Sequence, residues 1–110
     1  VAGIFKAYDI RGIYGEDFDE DVAYKVGFFV ASILNAKRVV VSRDMRVSSP
    51  SVAEAVARGA ADAGALCLDV GLASTPMNYF SIVHLDADAG FQVTASHNPV
   101  EYNGIKISRR

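Results

Sequence analysis

The stretch Ala89-Gly90-Phe91-Gln92-Val93-Thr94-Ala95-Ser96-His97-Asn98-Pro99 sets an apolar run directly against a polar loop. Residues 89–94 read as a strand, and the Asn-Pro pair behind it favours a turn, so Ser96 is a hydroxyl carried on a loop at a strand end. A serine hydroxyl is a poor nucleophile unless a neighbour takes its proton or a charge stabilises what it becomes. His97, Asn98 and Lys106 are the nearby candidates. A lone Ser-His pair is more often an ordinary pair of polar loop residues than a catalytic dyad, and on spacing alone that plainer reading wins. Further on, Asn103-Gly104 predicts a tight turn that sends Ile105-Lys106-Ile107 back beside the 89–94 strand as an antiparallel edge.

Length and composition bound the rest. The 110 residues are 51% hydrophobic, which suits one sizeable core and is too short for two ordinary domains. Eleven basic against thirteen acidic residues give a net charge of −2, no electrostatic footprint for nucleic acid or an anionic membrane. No apolar run is long enough to span a bilayer and no signal-peptide pattern opens the chain, so a soluble, cytoplasmic protein is expected. The single Cys67 sits in the apolar run Ala65-Leu66-Cys67-Leu68, where a thiol behaves as a small hydrophobe, which supports neither a disulfide framework nor a cysteine metal site.

Strands and helices alternate along the chain. Ile4 to Ile10 is β-permissive and stops at Arg11-Gly12, where a glycine lets the chain turn while the guanidinium points outward, a geometry suited to an oxyanion. The plainer reading, ranked first on the residues alone, is an Arg11 paired with Asp9 or Asp17. Asp19 is a plausible N-cap for a helix over 19–34, whose apolar stripe of Val22, Val26, Phe29, Val30 and Ile33 is expected on the core. Val39-Val40-Val41 reads as a strand buried on both faces, ending in Ser42-Arg43-Asp44, where Arg43 and Asp44 could pair as loop scaffolding. Ser49-Pro50 caps a helix over 50–64, with Ser51 and Glu54 as a possible capping box, and its small face, with Gly59, is expected close against the sheet. Leu66 to Val70 reads as a second buried strand, Thr75-Pro76 starts a helix over 76–84, and His84 near its end suits the helix dipole.

This alternation predicts an α/β fold: a three-layer α/β/α domain on a mixed, mostly parallel sheet whose last strand is antiparallel. Loops after 42, 71 and 94 should then share one sheet edge, which brings the Ser42-to-Asp44 turn close to Ser96. A doubly wound nucleotide binder is disfavoured, because Ser42-Arg43-Asp44-Met45-Arg46 stands where a Gly-x-Gly-x-x-Gly would follow the first buried strand.

The segment Thr94-Ala95-Ser96-His97-Asn98-Pro99, continued by Glu101-Tyr102-Asn103-Gly104-Ile105-Lys106 and preceded by Tyr8-Asp9-Ile10-Arg11-Gly12, resembles the α-D-phosphohexomutases. Three collinear motifs cover essentially the whole chain, though only the first of that family's four domains. The resemblance implies a four-stranded sheet of order 2-1-3-4, counting from Val39, and residues 1–110 as the N-terminal, phosphoserine-bearing domain of a larger enzyme. It implies a reversible mutase that moves phosphate between O1 and O6 of a hexose through phosphoserine 96 and a 1,6-bisphosphate, which also serves as activator. His97, Lys106 and Arg11 resemble family residues that contact the transferring phosphoryl group or move the proton. Which of them is general acid or base is not fixed by the sequence.

Tyr8 and Asn98 are expected beside substrate, with Tyr8 and Asp9 positioning Arg11, and the segment Arg43 to Pro50 is expected to support the active-site loop. Mg²⁺ is implied, with Ser96 its one ligand from this chain and the others in a domain beyond it. The Phe5 to Gly12 start looks more like phosphomannomutase/phosphoglucomutase than phosphoglucosamine mutase, which places mannose and glucose phosphates ahead of glucosamine phosphate as the hexose phosphate substrate. The other partners would be the remaining domains of the enzyme; alone, the chain is expected to be inactive and, on faces left bare, to self-associate. A catalytically silent phosphosugar-binding domain is the alternative from another class.

Overall fold

A computed structural model describes residues 6–96 and 98–110. Its elements run β1 (Lys6–Ile13), α1 (Glu20–Leu34), β2 (Arg38–Arg43), α2 (Ser49–Asp62), β3 (Leu66–Leu72), α3 (Thr75–His84), β4 (Ala89–Val93) and β5 (Tyr102–Arg109). One sheet holds every strand in the order β1-β5-β4-β2-β3, with β2 parallel to β3 and β4, and β5 antiparallel to β4 and β1. Counted from Val39, the order is the expected 2-1-3-4 with its last strand reversed.

The number of strands differs from expectation, because β1 adds a fifth beyond β5, in register from Lys6 opposite Arg109 to Ile13 opposite Tyr102. Gly104 permits this: a Cβ there would run into the Ile10 carbonyl oxygen and lie 2.7 Å from Arg11 Cβ. Asn103-Gly104 is therefore strand and not turn, and β5 is an interior strand. The reversal comes earlier, where the Tyr102 N–H donates to the Pro99 carbonyl at 3.0 Å.

α1 and α2 lie on one face of the sheet over the larger core, and α3 lies on the other over Val40, with Ile82 and Ala87. β2 and β4 are central, so Val39, Val40, Val41 and all five residues of β4 are buried. β3, expected to be buried, is the opposite edge strand, and Leu66 and Leu72 at its ends are exposed.

Val22, Val26 and Val30 of α1 pack against the core as expected, as do Val56 and Ala60 of α2, and the contact between the two helices adds a second packed face to each. The buried residues of α1 are Ala23, Gly27 and Ala31, spaced four apart, while Phe29 and Ile33 are 56% and 80% exposed. A Cβ at Gly27 would meet the Val56 carbonyl oxygen, and one at Gly59 the Tyr24 carbonyl oxygen. The two helices thus touch backbone to backbone, which only small residues allow, and Gly59 is pressed against α1 and not against the sheet. The stripe of large residues on α1 borders an open groove with Ile10.

The helix starts differ in detail. Asp19 caps α1 as expected, accepting from the Val22 N–H at 3.0 Å. Ser74, not Thr75, caps α3 through the Met77 N–H, and Ser48 stands at the N-cap of α2 without a side-chain capping bond. Ser51 makes no box with Glu54; its hydroxyl donates to Glu20 Oε2 at 2.6 Å and so ties the first turn of α2 to that of α1. With Ser51 and then Tyr14 donating to it, the Glu20 carboxyl titrates below its ordinary range. Gly59→Val is expected to destabilise the protein by about 3 kcal/mol through overpacking, read as a lower urea midpoint; an unchanged midpoint would mean the helices stand further apart.

Candidate active site

The C-terminal ends of the three parallel strands share one edge. There the Asp44 N–H donates to the Val93 carbonyl at 2.9 Å and the Ala73 N–H to the Arg43 carbonyl at 3.0 Å. The loop leaving β4 starts at this edge, with the Thr94 N–H on the Gly104 carbonyl at 2.9 Å. The turn after Ser42 and the Ser96 loop are therefore neighbours, as the topology predicts.

Ser96 is exposed and its φ is +53°, in the left-handed region. A non-glycine residue held there costs of order 1–3 kcal/mol and persists only where its surroundings fix it. The Ser96 N–H donates to Thr94 Oγ1 at 3.0 Å, and the Asn98 N–H to the Ala95 carbonyl at 3.0 Å. The main support comes from Arg46. Its Nη2 donates to the carbonyls of Ser96 (3.0 Å) and Asn98 (2.8 Å), and its Nη1 to those of Pro99 (2.7 Å) and Tyr102 (3.1 Å).

Asp44 holds Arg46 in turn, accepting from its Nε at 3.2 Å and its backbone N–H at 3.1 Å, so the carboxylate pairs with Arg46 and not with Arg43. Its other contact is the Ser49 hydroxyl at 2.6 Å. Fully buried Asn103 joins this group, donating through Nδ2 to Ser48 Oγ (2.7 Å) and Ser49 Oγ (3.1 Å) and accepting from the Gly104 N–H at 2.8 Å. The expectation that residues 43–50 support the loop is thus met by named bonds. Sequence reasoning missed Asn103 because Asn-Gly signals a turn. It passed over Arg46 because an arginine two residues after an aspartate is ordinary in a loop.

Arg11 reaches the same loop from β1. Its Nη1 donates to Asn98 Oδ1 at 2.5 Å and to the Ala95 carbonyl at 3.3 Å, and its Nη2 pairs with Asp9 at 2.5 Å. Both readings of Arg11 meet here: it is paired with Asp9, and it stands at the Ser96 loop. Lys106 lies on β5 between Asp9 and Gln92 in register. Its neighbours Ile105 and Ile107 belong to the core under α1 and α2, so strand alternation turns Lys106 to the opposite face, that of Asp9 and Arg11. Among the described residues Lys106 makes no ion pair.

Tyr8 does not join them. Alternation along β1 puts it on the α1 face with Ile10, 60% exposed, in a groove with Val30, Ile33 and Leu34, so it does not position Arg11. His97 lies outside the described residues.

Beneath the edge, a buried polar chain ties α3 to the sheet. Asn78 Nδ2 donates to Ser42 Oγ at 2.7 Å and to the Phe91 carbonyl at 3.1 Å, Ser42 donates to Gln92, and Gln92 donates to the Ala73 carbonyl at 2.8 Å. These bonds fix the ends of β2 and β4, from which both loops of the site spring. His84 stacks on Phe80 at the far end of α3, away from this chain of bonds. Burial pushes the Cys67 thiol up, which works against a thiolate, and the thiol donates to the Ala57 carbonyl.

Among the described residues no group of three His, Cys, Asp or Glu side chains could hold a metal ion. An exposed serine oxygen, or a phosphate on it, is the hard oxygen donor that Mg²⁺ takes, so Ser96 fits as one ligand. Asn103→Leu is expected to lower stability by roughly 2 kcal/mol, since it leaves the buried Gly104 N–H without its acceptor and the oxygens of Ser48 and Ser49 without the donor they share. Wild-type stability in a urea titration would contradict the network.

The family model described as phosphoglucomutase/phosphomannomutase, alpha/beta/alpha domain I, matches residues 2–110. A phosphomannomutase of Klebsiella pneumoniae is 50% identical over 105 residues, covering 96% of this chain and 67% of that protein. The phosphomannomutase of Escherichia coli strain K12 is 46% identical over 105 residues, covering 96% of this chain and 23% of its own length. A crystal structure of a phosphoglucomutase/phosphomannomutase family protein from Burkholderia thailandensis matches with a TM-score of 0.85 at 40% identity, over 100% of this chain and 26% of that one. The chain therefore spans two thirds of one relative and about a quarter of the others. With its fold, its Ser96 loop and these likenesses in agreement, the chain belongs to the phosphoglucomutase/phosphomannomutase family and corresponds to that family's alpha/beta/alpha domain I.

Proposed function

We propose that this chain is the N-terminal, phosphoserine-bearing domain of a four-domain phosphohexomutase that interconverts hexose 1-phosphate and hexose 6-phosphate, with mannose and glucose as the sugars. The observation that carries the reading is Ser96: an exposed hydroxyl at a left-handed turn, on a sheet edge that also holds Arg11, on the face that holds Lys106. The relatives named phosphomannomutase supply the substrate class.

In the proposed reaction the sugar hydroxyl attacks the phosphorus of phosphoserine 96 in line. The new O–P bond forms as the Ser96 Oγ–P bond breaks, the hydroxyl proton passes to a base, and the Ser96 oxygen takes a proton as it leaves. The bisphosphate then turns over and returns its other phosphate to Ser96, so the net change is an isomerisation. Such transfers depend on alignment and on cations that neutralise the spread charge. Arg11, held by Asp9 and Asn98, and Lys106, which makes no ion pair among the described residues, are suited to that role, with His97 a further candidate and Asn98 a candidate to meet substrate.

Bound Mg²⁺ would supply further charge neutralisation, with the phosphate oxygen on Ser96 as its ligand from this chain. Its other ligands, and the groups that grip the sugar's second phosphate, belong to the rest of the enzyme, which would also cover the exposed apolar side chains. Among the described residues no helix is long and apolar enough to cross a membrane, and a cytoplasmic enzyme of carbohydrate metabolism fits the reading.

The test is peptide-mapped phosphate on the full-length protein, wild type and Ser96→Ala, after hexose 1,6-bisphosphate with Mg²⁺ and then excess hexose 1-phosphate. The expected result is phosphate on the Ser96 peptide that leaves on the second addition and never forms in the alanine variant. A bare Ser96 in a protein that still binds sugar phosphates would instead establish a silent phosphosugar-binding domain.

A further inference from the structure

We propose that Arg46 is a positioning residue for phosphoryl transfer, one that sets the direction of the Ser96 oxygen without touching substrate. The inference rests on the mutase reading above. A guanidinium has five N–H groups in one plane, and every one of them in Arg46 has an acceptor: the carbonyls of Ser96, Asn98, Pro99 and Tyr102, and Asp44 Oδ2. Four carbonyls on a segment seven residues long converge on one group, so the loop is wrapped around the arginine. The first of them belongs to Ser96 itself, whose left-handed backbone needs such a hold.

The side chain of Arg46 is 13% exposed, whereas Ser96 is open to solvent, which puts the arginine behind the loop and the hydroxyl in front of it. Nothing in that arrangement lets Arg46 reach a substrate except through Ser96. Lysine would keep the charge at this position, but its three N–H groups on one nitrogen cannot span four carbonyls and a carboxylate. Arg46→Lys therefore separates the planar fork from the charge.

The experiment uses the full-length protein, wild type and Arg46→Lys, with three readouts: the rate of Ser96 phosphorylation by hexose 1,6-bisphosphate with Mg²⁺, the Kd for hexose 1-phosphate, and amide hydrogen exchange in peptides covering 94–102. Phosphorylation is expected to slow by at least about tenfold, with Kd within about twofold of wild type. Exchange should accelerate in 94–102 and stay unchanged in β2. A wild-type rate, unchanged exchange in the loop, or a rate and a Kd that worsen together would overturn the role.

Asp44→Asn keeps the guanidinium and weakens its anchor; it is read by the same three measurements and answers in place of a lysine variant that does not fold. Wild-type protein that takes no phosphate on Ser96 refutes the mutase reading, and this role with it. A labelled wild type beside an equally fast lysine variant refutes only this one.

Discussion

Four N–H groups of a single guanidinium, that of Arg46, hold the carbonyls of Ser96, Asn98, Pro99 and Tyr102 at the sheet edge, and the fifth is anchored on Asp44. A chain that must leave β4, expose a serine and return as β5 cannot satisfy its carbonyls in a regular ladder over those residues. Backbone carbonyls turned inward need donors, and water reaches a partly buried turn poorly. Arginine is the one side chain with enough donors in a fixed plane to serve several carbonyls together. Asp44 and Asn103 extend the same hold to the start of α2 through Ser49 and Ser48, so the loop is fastened to helix as well as to strand.

The rest of the fold brings Arg11 to that loop. Arg11 arrives only because β1 lies flush against β5, and β1 lies flush only because Gly104 has no side chain to hold off the Ile10 carbonyl. Lys106 shares its face with Arg11 by strand alternation. The opposite face carries the scaffold, where α1 and α2 meet backbone to backbone through Gly27 and Gly59 and cover the sheet with a core of small and branched side chains. Arg11 and Lys106 thus lie on the face opposite the α1–α2 core.

Much of this was legible in the residues. The three helices announced themselves through Asp19, Pro50 and Pro76, and the branched run at Val39 placed the central parallel strand, from which the shared loop edge follows. What was not legible depends on contacts between distant segments. Asn103-Gly104 has the local chemistry of a turn, and only the closeness of β1 shows why a glycine is needed inside a strand. On α1 the stripe holds for Val22, Val26 and Val30 but not for Phe29 and Ile33, and the closest helix packing falls to Ala23, Gly27 and Ala31, which a hydrophobicity pattern underrates. Tyr8 adjoins Arg11 by motif in the chain but points the other way, since its distance of three residues changes the face. Arg46 gave no signal of its own, because its importance lies in carbonyls, which no side-chain pattern reports.

The most direct measurement is a crystal structure of the phosphorylated full-length protein. The expected result is Ser96 at positive φ, its phosphate turned toward Arg11 and Lys106, and the Arg46 guanidinium enclosed by the carbonyls of residues 96, 98, 99 and 102. An Arg46 directed into solvent, or a Ser96 loop with ordinary negative φ and its phosphate turned away from both cations, would contradict it.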